Sequence, residues 1–125
     1  MEKVFFNIIV CSADSVCNEA LKSLITSINC NAIIMNDSDA MSEKLEKEDI
    51  KAIVVDEYII NKGKIVYAEE LFKNYMYKVP IIFLLEVLNE IQGHHPYKQY
   101  FRKPINAKTL QNYLSPYLEI KEVVK

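Results

Sequence analysis

An aspartate at the end of an apolar run is the first residue of this sequence with a clear chemical potential. Residues 52–55 read Ala-Ile-Val-Val and lead directly into Asp56, which Glu57 follows. A carboxylate in that place either caps a turn or occupies a chemical site. Carboxylate oxygens hold divalent cations such as Mg²⁺, so a cluster of acidic residues could form a cation site. Its members would be Asp14, Asp56, Glu57 and Glu86, and the alternative is an acidic rim that is simply solvated.

The histidines and cysteines suggest two further kinds of chemistry. His94 and His95 are adjacent and have no third ligand near them, so they indicate a turn and no metal site. The cysteines are Cys11, Cys17 and Cys30; they contain no CxxC pair and fit a reducing cytoplasm without zinc or disulfides. Cys11 and Cys17 flank the acidic region and could sense oxidation. A structural role is favoured, because cysteine is among the most buried residue types.

Five apolar runs indicate the strands that must position these residues. Most of the runs are continuous and do not alternate with polar residues, which is typical of parallel strands covered on both faces. The runs are residues 4–11, 32–35, 52–55, 81–85 and 99–101.

Segments with helical spacing lie between the runs. The first predicted helix is capped by Asp14 or Ser15, whose side chains can accept from the first-turn N–H groups. Its apolar residues recur at intervals of three and four, which predicts that one face of the helix is buried. They are Val16, Ala20, Leu21, Leu24, Ile25 and Ile28.

The second predicted helix carries Met41 and Leu45 inward, and its cap is Asp37, Ser38 or Asp39. A third helix is predicted over residues 66–77, after a loop broken by Gly63. Its inward positions are Leu71, Phe72 and Tyr75.

Two helical segments follow the fourth run. Residues 86–92 are a short candidate that stops at Gly93. The last helix is predicted over residues 107–118 with Asn106 as its cap. Pro116 should end or kink its final turn, because proline lacks an N–H group and clashes with the preceding turn.

Strand and helix thus alternate five times, which predicts an α/β fold. We expect a doubly wound, flavodoxin-like sheet of five parallel strands with helices on both faces. Residues 1–120 would form one domain, and residues 121–125 a C-terminal tail or the start of a linker. Sites in such sheets lie outside the carboxyl ends of the strands, so Asp56 should lie on that rim.

Charge and hydropathy exclude several classes of function. The net charge is −2 and Arg102 is the single arginine, so the chain lacks both the basic excess and the Arg forks of nucleic-acid readers. The first apolar run is short and broken by Asn7, and no later segment approaches the length of a membrane span. We expect a cytoplasmic domain that binds neither nucleic acid nor membranes.

The order of four motifs resembles the receiver domain of bacterial response regulators over nearly the whole chain. Ile-Val-Val-Asp-Glu-Tyr-Ile (53–59) resembles the strand that presents the phospho-accepting aspartate. The other motifs resemble the family's first helix, fourth strand and fifth strand with its Lys-Pro pair. They are residues 19–25, 79–86 and 100–106.

The resemblance implies roles for four residues. Asp56 matches the phosphate acceptor, and Lys103 matches the lysine that pairs with it and with the phosphoryl oxygens. Pro104 matches the proline after that lysine, which a cis bond usually precedes in this family. Tyr100 matches the aromatic residue whose orientation reports phosphorylation.

Four other positions depart from the family's pattern. The adjacent acidic pair that holds Mg²⁺ falls on Ser12 and Ala13, and the Thr/Ser position falls on Leu85. The next position, normally small, is Glu86, which would repel an incoming phosphoryl dianion. Without the metal clamp, phosphoryl transfer loses much of its catalysis. We therefore expect Asp56 to be the remnant of a phosphorylation site, retained as an ion-pair partner of the site lysine.

The resulting prediction is a pseudo-receiver: a non-enzymatic signalling module that acts through protein–protein contacts and needs no cofactor. By resemblance, its partners are a histidine kinase or an output domain. Self-association would use the family's fourth helix, fifth strand and fifth helix. An aromatic patch there either serves such contacts or packs the edge of the core. Its members are Tyr97, Tyr100, Phe101, Tyr113 and Tyr117.

Two alternatives stay open at the level of sequence. One is a functional phosphorelay receiver, phosphorylated on Asp56 with Mg²⁺ as its cofactor. The other is a flavodoxin-like domain that binds a small molecule. Against the second, no Gly-rich phosphate loop follows the first strand, and the chain contains only Gly63 and Gly93.

Overall fold

The computed structural model describes a central parallel sheet and the elements packed against it. The description covers residues 6–35, 37–38, 40–72, 79–85, 98–102 and 105–118.

All five strands of the central sheet run parallel, and their order is β2-β1-β3-β6-β7. The first strand lies next to one edge of the sheet. The chain first adds that edge and then crosses to the other side, which is the doubly wound arrangement. The predicted fold class is therefore confirmed. The strands are β1 (Phe6–Cys11), β2 (Cys30–Met35), β3 (Ile50–Asp56), β6 (Ile81–Leu85) and β7 (Lys98–Arg102).

Alternate residues of the central strands enter two separate cores. In β1, Ile8 and Val10 face one core while Ile9 and Cys11 face the other, and all four are fully buried. Because both faces are covered, the strands can be continuously apolar. Helices α1 (Ser15–Ser27) and α4 (Ala107–Leu118) cover the first face; α2 (Met41–Lys47), α3 (Ala68–Phe72) and a β-hairpin cover the second.

Helix α1 begins as predicted, but its buried stripe is narrower than its apolar spacing suggested. The Asp14 carboxylate accepts from the Val16 N–H at 2.9 Å. Leu21 and Ile25 are buried, whereas Val16 is 74% exposed and Ala20 is also exposed. The inward placement of these last two residues was wrong, because α1 is rotated so that both positions lie outside the face that carries its buried residues.

Helix α2 starts later than predicted and has no side-chain cap. Its N-cap is Ala40, while Met41 is fully buried as expected. Ser38 does not cap the helix because it is bonded to the hairpin instead. Its N–H donates to the Ile60 carbonyl at 2.9 Å, and its hydroxyl donates to the Asn61 side chain at 3.0 Å.

The hairpin is the main feature that the sequence prediction missed. Strands β4 (Tyr58–Asn61) and β5 (Lys64–Tyr67) pair antiparallel, so the segment predicted as the start of the third helix is a strand. The two-residue loop has positive φ at both Lys62 (52°) and Gly63 (78°). This is the type I′ geometry, whose twist matches that of paired strands. Helix α3 starts only afterwards, at Ala68.

The C-terminal elements agree with prediction where they are described. The Asn106 side chain accepts from the Thr109 N–H at 2.8 Å and so caps α4, whose last turn contains Pro116. Tyr75 and the short helix proposed over 86–92 lie outside the described residues. The domain boundary at residue 120 lies there too and stays a prediction. In the described part of the chain, no helix is long and apolar enough to span a membrane.

Candidate functional site

Asp56 ends β3 in the middle of the sheet, with β1 on one side and β6 on the other. Its sheet neighbour in β6 is Leu84, and β1 ends at Cys11, beside Val55. The loop after β1 therefore reaches Asp56 directly. The Asp56 side chain lies in this crevice with only 7% of its surface exposed.

Both carboxylate oxygens of Asp56 accept hydrogen bonds from neutral groups. The Ser12 hydroxyl donates to Oδ2 at 2.8 Å, and the backbone N–H of Glu57 donates to Oδ1 at 2.8 Å. Ser12 is itself 2% exposed, so its bond to Asp56 is shielded from water. A buried carboxylate needs such donors, because an ion that loses its hydration without compensation is costly.

A further set of bonds fixes Ser12. Its oxygen accepts from the Asp14 N–H at 3.0 Å, and its backbone carbonyl accepts from the Asn18 side chain at 3.1 Å. Asn18 is buried, and no described residue donates to its side-chain oxygen. Ala13 donates its N–H to the Tyr58 carbonyl at 3.1 Å. The β1–α1 loop is thus held between β3, α1 and the hairpin.

The other described acidic residues of the proposed cation cluster bond elsewhere. The Asp14 carboxylate caps α1, and the Glu57 carboxylate accepts a long hydrogen bond of 3.4 Å from the Tyr67 hydroxyl. Glu86 lies outside the described residues. Within the described ranges, no three His, Cys, Asp or Glu side chains come together in a way that could hold a metal ion.

Leu85 follows Leu84, the sheet neighbour of Asp56. It ends β6 with 6% of its surface exposed and belongs to the same core as Cys11 and Val55. Its side chain offers no hydroxyl to a phosphoryl group. The structure therefore places Ser12 against Asp56 and Leu85 in the neighbouring core.

Several predicted site positions fall outside the described residues. Lys103 and Pro104 are among them, so the expected ion pair between Asp56 and Lys103 stays a prediction. His94 and His95 also fall there. Tyr100 lies in β7 beside Phe83, but the description does not include its side chain.

The cysteines beside the site are mostly buried. Cys11 is fully buried, and this burial, with a smaller contribution from the negative charge of Asp37, raises the pKa of its thiol to about 12. Burial also raises the pKa of Cys30. A thiol that stays protonated is a poor nucleophile, which supports a structural role for Cys11. Cys17 is half-buried.

The aromatic patch predicted near the C terminus packs partly into the core. Phe101 and Tyr113 make an edge-to-face pair with ring centroids 5.8 Å apart, and both pack against the core beneath α1 and α4. For these two residues the core-edge interpretation is the better one. Tyr97 lies outside the described residues, as do the side chains of Tyr100 and Tyr117.

Sequence reasoning missed a different exposed aromatic pair, on the hairpin. Tyr58 and Tyr67 face each other across the two strands, with ring centroids 5.3 Å apart and roughly half of each side chain exposed. The signal was present in residues 58–67, where two β-branched and aromatic runs flank Asn-Lys-Gly. A glycine at the second position of a two-residue loop is typical of hairpins.

No protein-family model matches this sequence, and no curated protein matches it significantly. The fold, by contrast, is similar to many solved structures. A CheY-like response-regulator receiver domain from Methylobacillus flagellatus superposes with a TM-score of 0.75 at 12% identity, over 91% of this chain and 99% of that one. A receiver domain from Clostridium thermocellum gives a TM-score of 0.73 at 16% identity, over 97% and 100%.

A third similar structure contains a bound metal ion. It is the receiver domain of a sensor histidine kinase from Pseudomonas aeruginosa, solved with a magnesium ion coordinated in the active-site cleft. Its TM-score is 0.70 at 17% identity, over 92% of this chain and 98% of that one. The strand order, the buried aspartate at the end of β3 and these superpositions lead to one conclusion: this chain has the fold of response-regulator receiver domains.

Proposed function

We propose that this chain is a non-enzymatic receiver module of cytoplasmic signal transduction that acts through protein contacts and lacks normal Mg²⁺-dependent phosphorylation at Asp56. The observation that carries the proposal is the 2.8 Å hydrogen bond from the buried Ser12 hydroxyl to Asp56 Oδ2. The receiver fold supplies the link to signalling.

The hydroxyl of Ser12 cannot do the work of a carboxylate. Mg²⁺ is a hard, strongly hydrated cation that proteins hold through charged oxygens, and it neutralises the transferring phosphoryl group. Ser12 is neutral and donates its proton to Asp56 Oδ2, so this oxygen is already partly engaged. Both effects weaken metal binding and attack by Asp56.

Leu85 also disfavours phosphorylation of Asp56. Leu85 is buried where the family has a hydroxyl that bonds a phosphoryl oxygen. A phosphoryl group on Asp56 would lack that hydrogen bond.

The partners that we propose are proteins. One structural relative is the receiver domain of a sensor histidine kinase, and another belongs to an HD domain-containing protein from Pseudomonas fluorescens. By analogy, this chain would bind a histidine kinase or an output domain. Self-association through the family's fourth helix, together with β7 and α4, is a further part of the proposal.

A second candidate function is a working phospho-switch, and the position of Asp56 favours it. The carboxylate lies at the end of the central strand, where the fold places the acceptor. Phosphorylation would then use an unusual metal arrangement, for example with Glu86 as a ligand. The two candidate functions differ in whether Mg²⁺ supports phosphorylation of Asp56.

Titration with a phosphate mimic separates the two candidates. We would add Mg²⁺ and then beryllofluoride to isotope-labelled protein and follow the amide NMR signals of Asp56, Leu85 and Lys103. We expect no saturable shift in the native chain. The double variant Ser12→Asp, Ala13→Asp restores the acidic pair and should gain Mg²⁺-dependent shifts. Saturable shifts in the native chain that need both additives and vanish in Asp56→Asn would overturn the proposal in favour of the phospho-switch.

A further inference from the structure

The β4–β5 hairpin has one buried face and one exposed apolar face. Ile59 is fully buried and pairs with Val66, which packs on the same core. The side chains that flank this pair along the two strands point the other way, because successive residues of a strand alternate. This outer face consists of two cross-strand pairs, Tyr58 with Tyr67 and Ile60 with Ile65.

The outer face is apolar, and three of its four side chains are exposed. Ile65 is 69% exposed, and Tyr58 and Tyr67 are 49% and 45% exposed. The two tyrosine rings are in contact, with their centroids 5.3 Å apart, so the pair forms a continuous surface. Exposed apolar residues that cluster in this way are typical of interaction surfaces, unlike single ones.

Hydrogen bonds to three parts of the chain hold the hairpin in place. The Tyr58 and Ile60 carbonyls accept from the N–H groups of Ala13 and Ser38, at 3.1 and 2.9 Å. At its base, the Glu57 carbonyl accepts from the Ala68 N–H at 2.9 Å. The face is therefore presented in a fixed orientation, which lowers the entropic cost of binding to it.

Residues of opposite charge lie at the two ends of the hairpin. The Glu57 carboxylate is at the base, where it accepts from the hydroxyl of Tyr67 at 3.4 Å. Lys62 is in the turn at the tip. If a second hairpin lies antiparallel on the first, each lysine tip meets a glutamate base. The face is thus complementary to a copy of itself, which is the condition for a two-fold symmetric interface.

We propose that the outer face of the hairpin is a self-association surface, on which the hairpin of a second copy packs in antiparallel orientation. Its apolar centre is Tyr58, Ile65 and Tyr67, and the Lys62–Glu57 pairs fix the direction. Four side chains per copy bury less than a standard interface, so the dimer is weak and concentration-dependent. This surface lies apart from the α4 and β7 face and does not depend on how Asp56 functions.

Analytical ultracentrifugation of the full chain tests the apolar centre. The weight-average mass should rise with concentration, and Ile65→Lys should weaken association at least tenfold. Thr26→Lys adds the same charge at an exposed position of α1 and should behave like the native chain. A native chain that stays monomeric up to about 1 mM, or an Ile65→Lys variant that associates normally while folded by circular dichroism, would overturn the proposal.

A charge exchange tests the antiparallel direction. Lys62→Glu and Glu57→Lys each place like charges at both ends of the dimer and should each weaken association. When the two variants are mixed, every tip again meets a base of opposite charge, so the mixture should associate as the native chain does. A mixture that remains monomeric would refute this arrangement. Association that Lys108→Glu on α4 abolishes, but Ile65→Lys does not, would assign the dimer to the other face and refute the hairpin surface.

Discussion

The rim around Asp56 and the outer face of the hairpin are neighbours in sequence, but the rim buries polar side chains and the hairpin exposes apolar ones. At the rim, polar groups are buried, and Ser12 and Asp56 satisfy each other. On the hairpin, apolar groups such as Ile65 are exposed and contact little of their own chain. A buried polar site must be paired internally to be stable, whereas an exposed apolar face gains free energy only from a partner. In this chain the rim is buried and paired internally, and the adjoining surface is exposed.

The largest effect that we expect concerns the two faces of the hairpin. Ile59→Ala removes a fully buried side chain and should lower the free energy of unfolding by about 3 kcal/mol. Ile65→Ala, on the exposed face, should change it by no more than about 0.5 kcal/mol. Urea unfolding of both variants measures the difference. Equal losses of unfolding free energy would mean that the outer face of the hairpin is as well packed as the inner one, and would contradict this contrast between the two faces.

The next effect concerns the rim. Ser12→Ala removes the donor to a buried carboxylate and should cost about 2 kcal/mol of unfolding free energy, because a hydrogen bond to a charged group is stronger than a neutral one. Ser23→Ala, at an exposed position of α1, is the matched control and should cost little. If both serine variants unfold at the same urea concentration, the rim is not internally satisfied as described.

The smallest effect is the response of the core beside the rim to alkaline pH. Burial raises the pKa of Cys11 from 9.0 to about 12, so the neutral thiol contributes stability that is complete below pH 9 and is lost as the pH rises toward 12. Between pH 9 and pH 10 the loss should be about 1 kcal/mol, because the unfolded chain releases the proton first. Urea unfolding at several pH values measures it. Cys11→Ala should lack this part of the decline, and an identical profile in the variant would contradict the assignment.

Much of this fold could be predicted because its signals are local. The continuous runs 52–55 and 81–85 indicate buried parallel strands, and the strand-end rule places Asp56 on the rim. The hairpin was missed because Val66 and Tyr67 also fit the spacing of a helix. The positive φ of Lys62 distinguishes the hairpin from a helix. Residues other than glycine rarely adopt a positive φ, and composition alone does not show that Lys62 does.

The details of the site depend on contacts that sequence spacing does not encode. Departure from the family's acidic pair was visible at Ser12, but the direction of its hydroxyl toward Asp56 depends on how the β1–α1 loop folds over the sheet. The exposure of Val16 is a second feature that sequence spacing does not encode. Its spacing fits the apolar stripe of α1, but the helix buries the polar Asn18 at this end and leaves Val16 outside the buried face.

The two-residue turn at Lys62 and Gly63 also bears on the order in which the chain folds. Ser12 and Asp56 are 44 positions apart, and every parallel pairing in the sheet likewise closes a long loop at a high cost in chain entropy. The hairpin closes a loop of two residues, and such hairpins form within microseconds. Local pairing therefore becomes available beside β3 before the distant strands arrive. Among the described strand pairings, the one with the smallest loop-closure cost thus directly follows β3 in the chain.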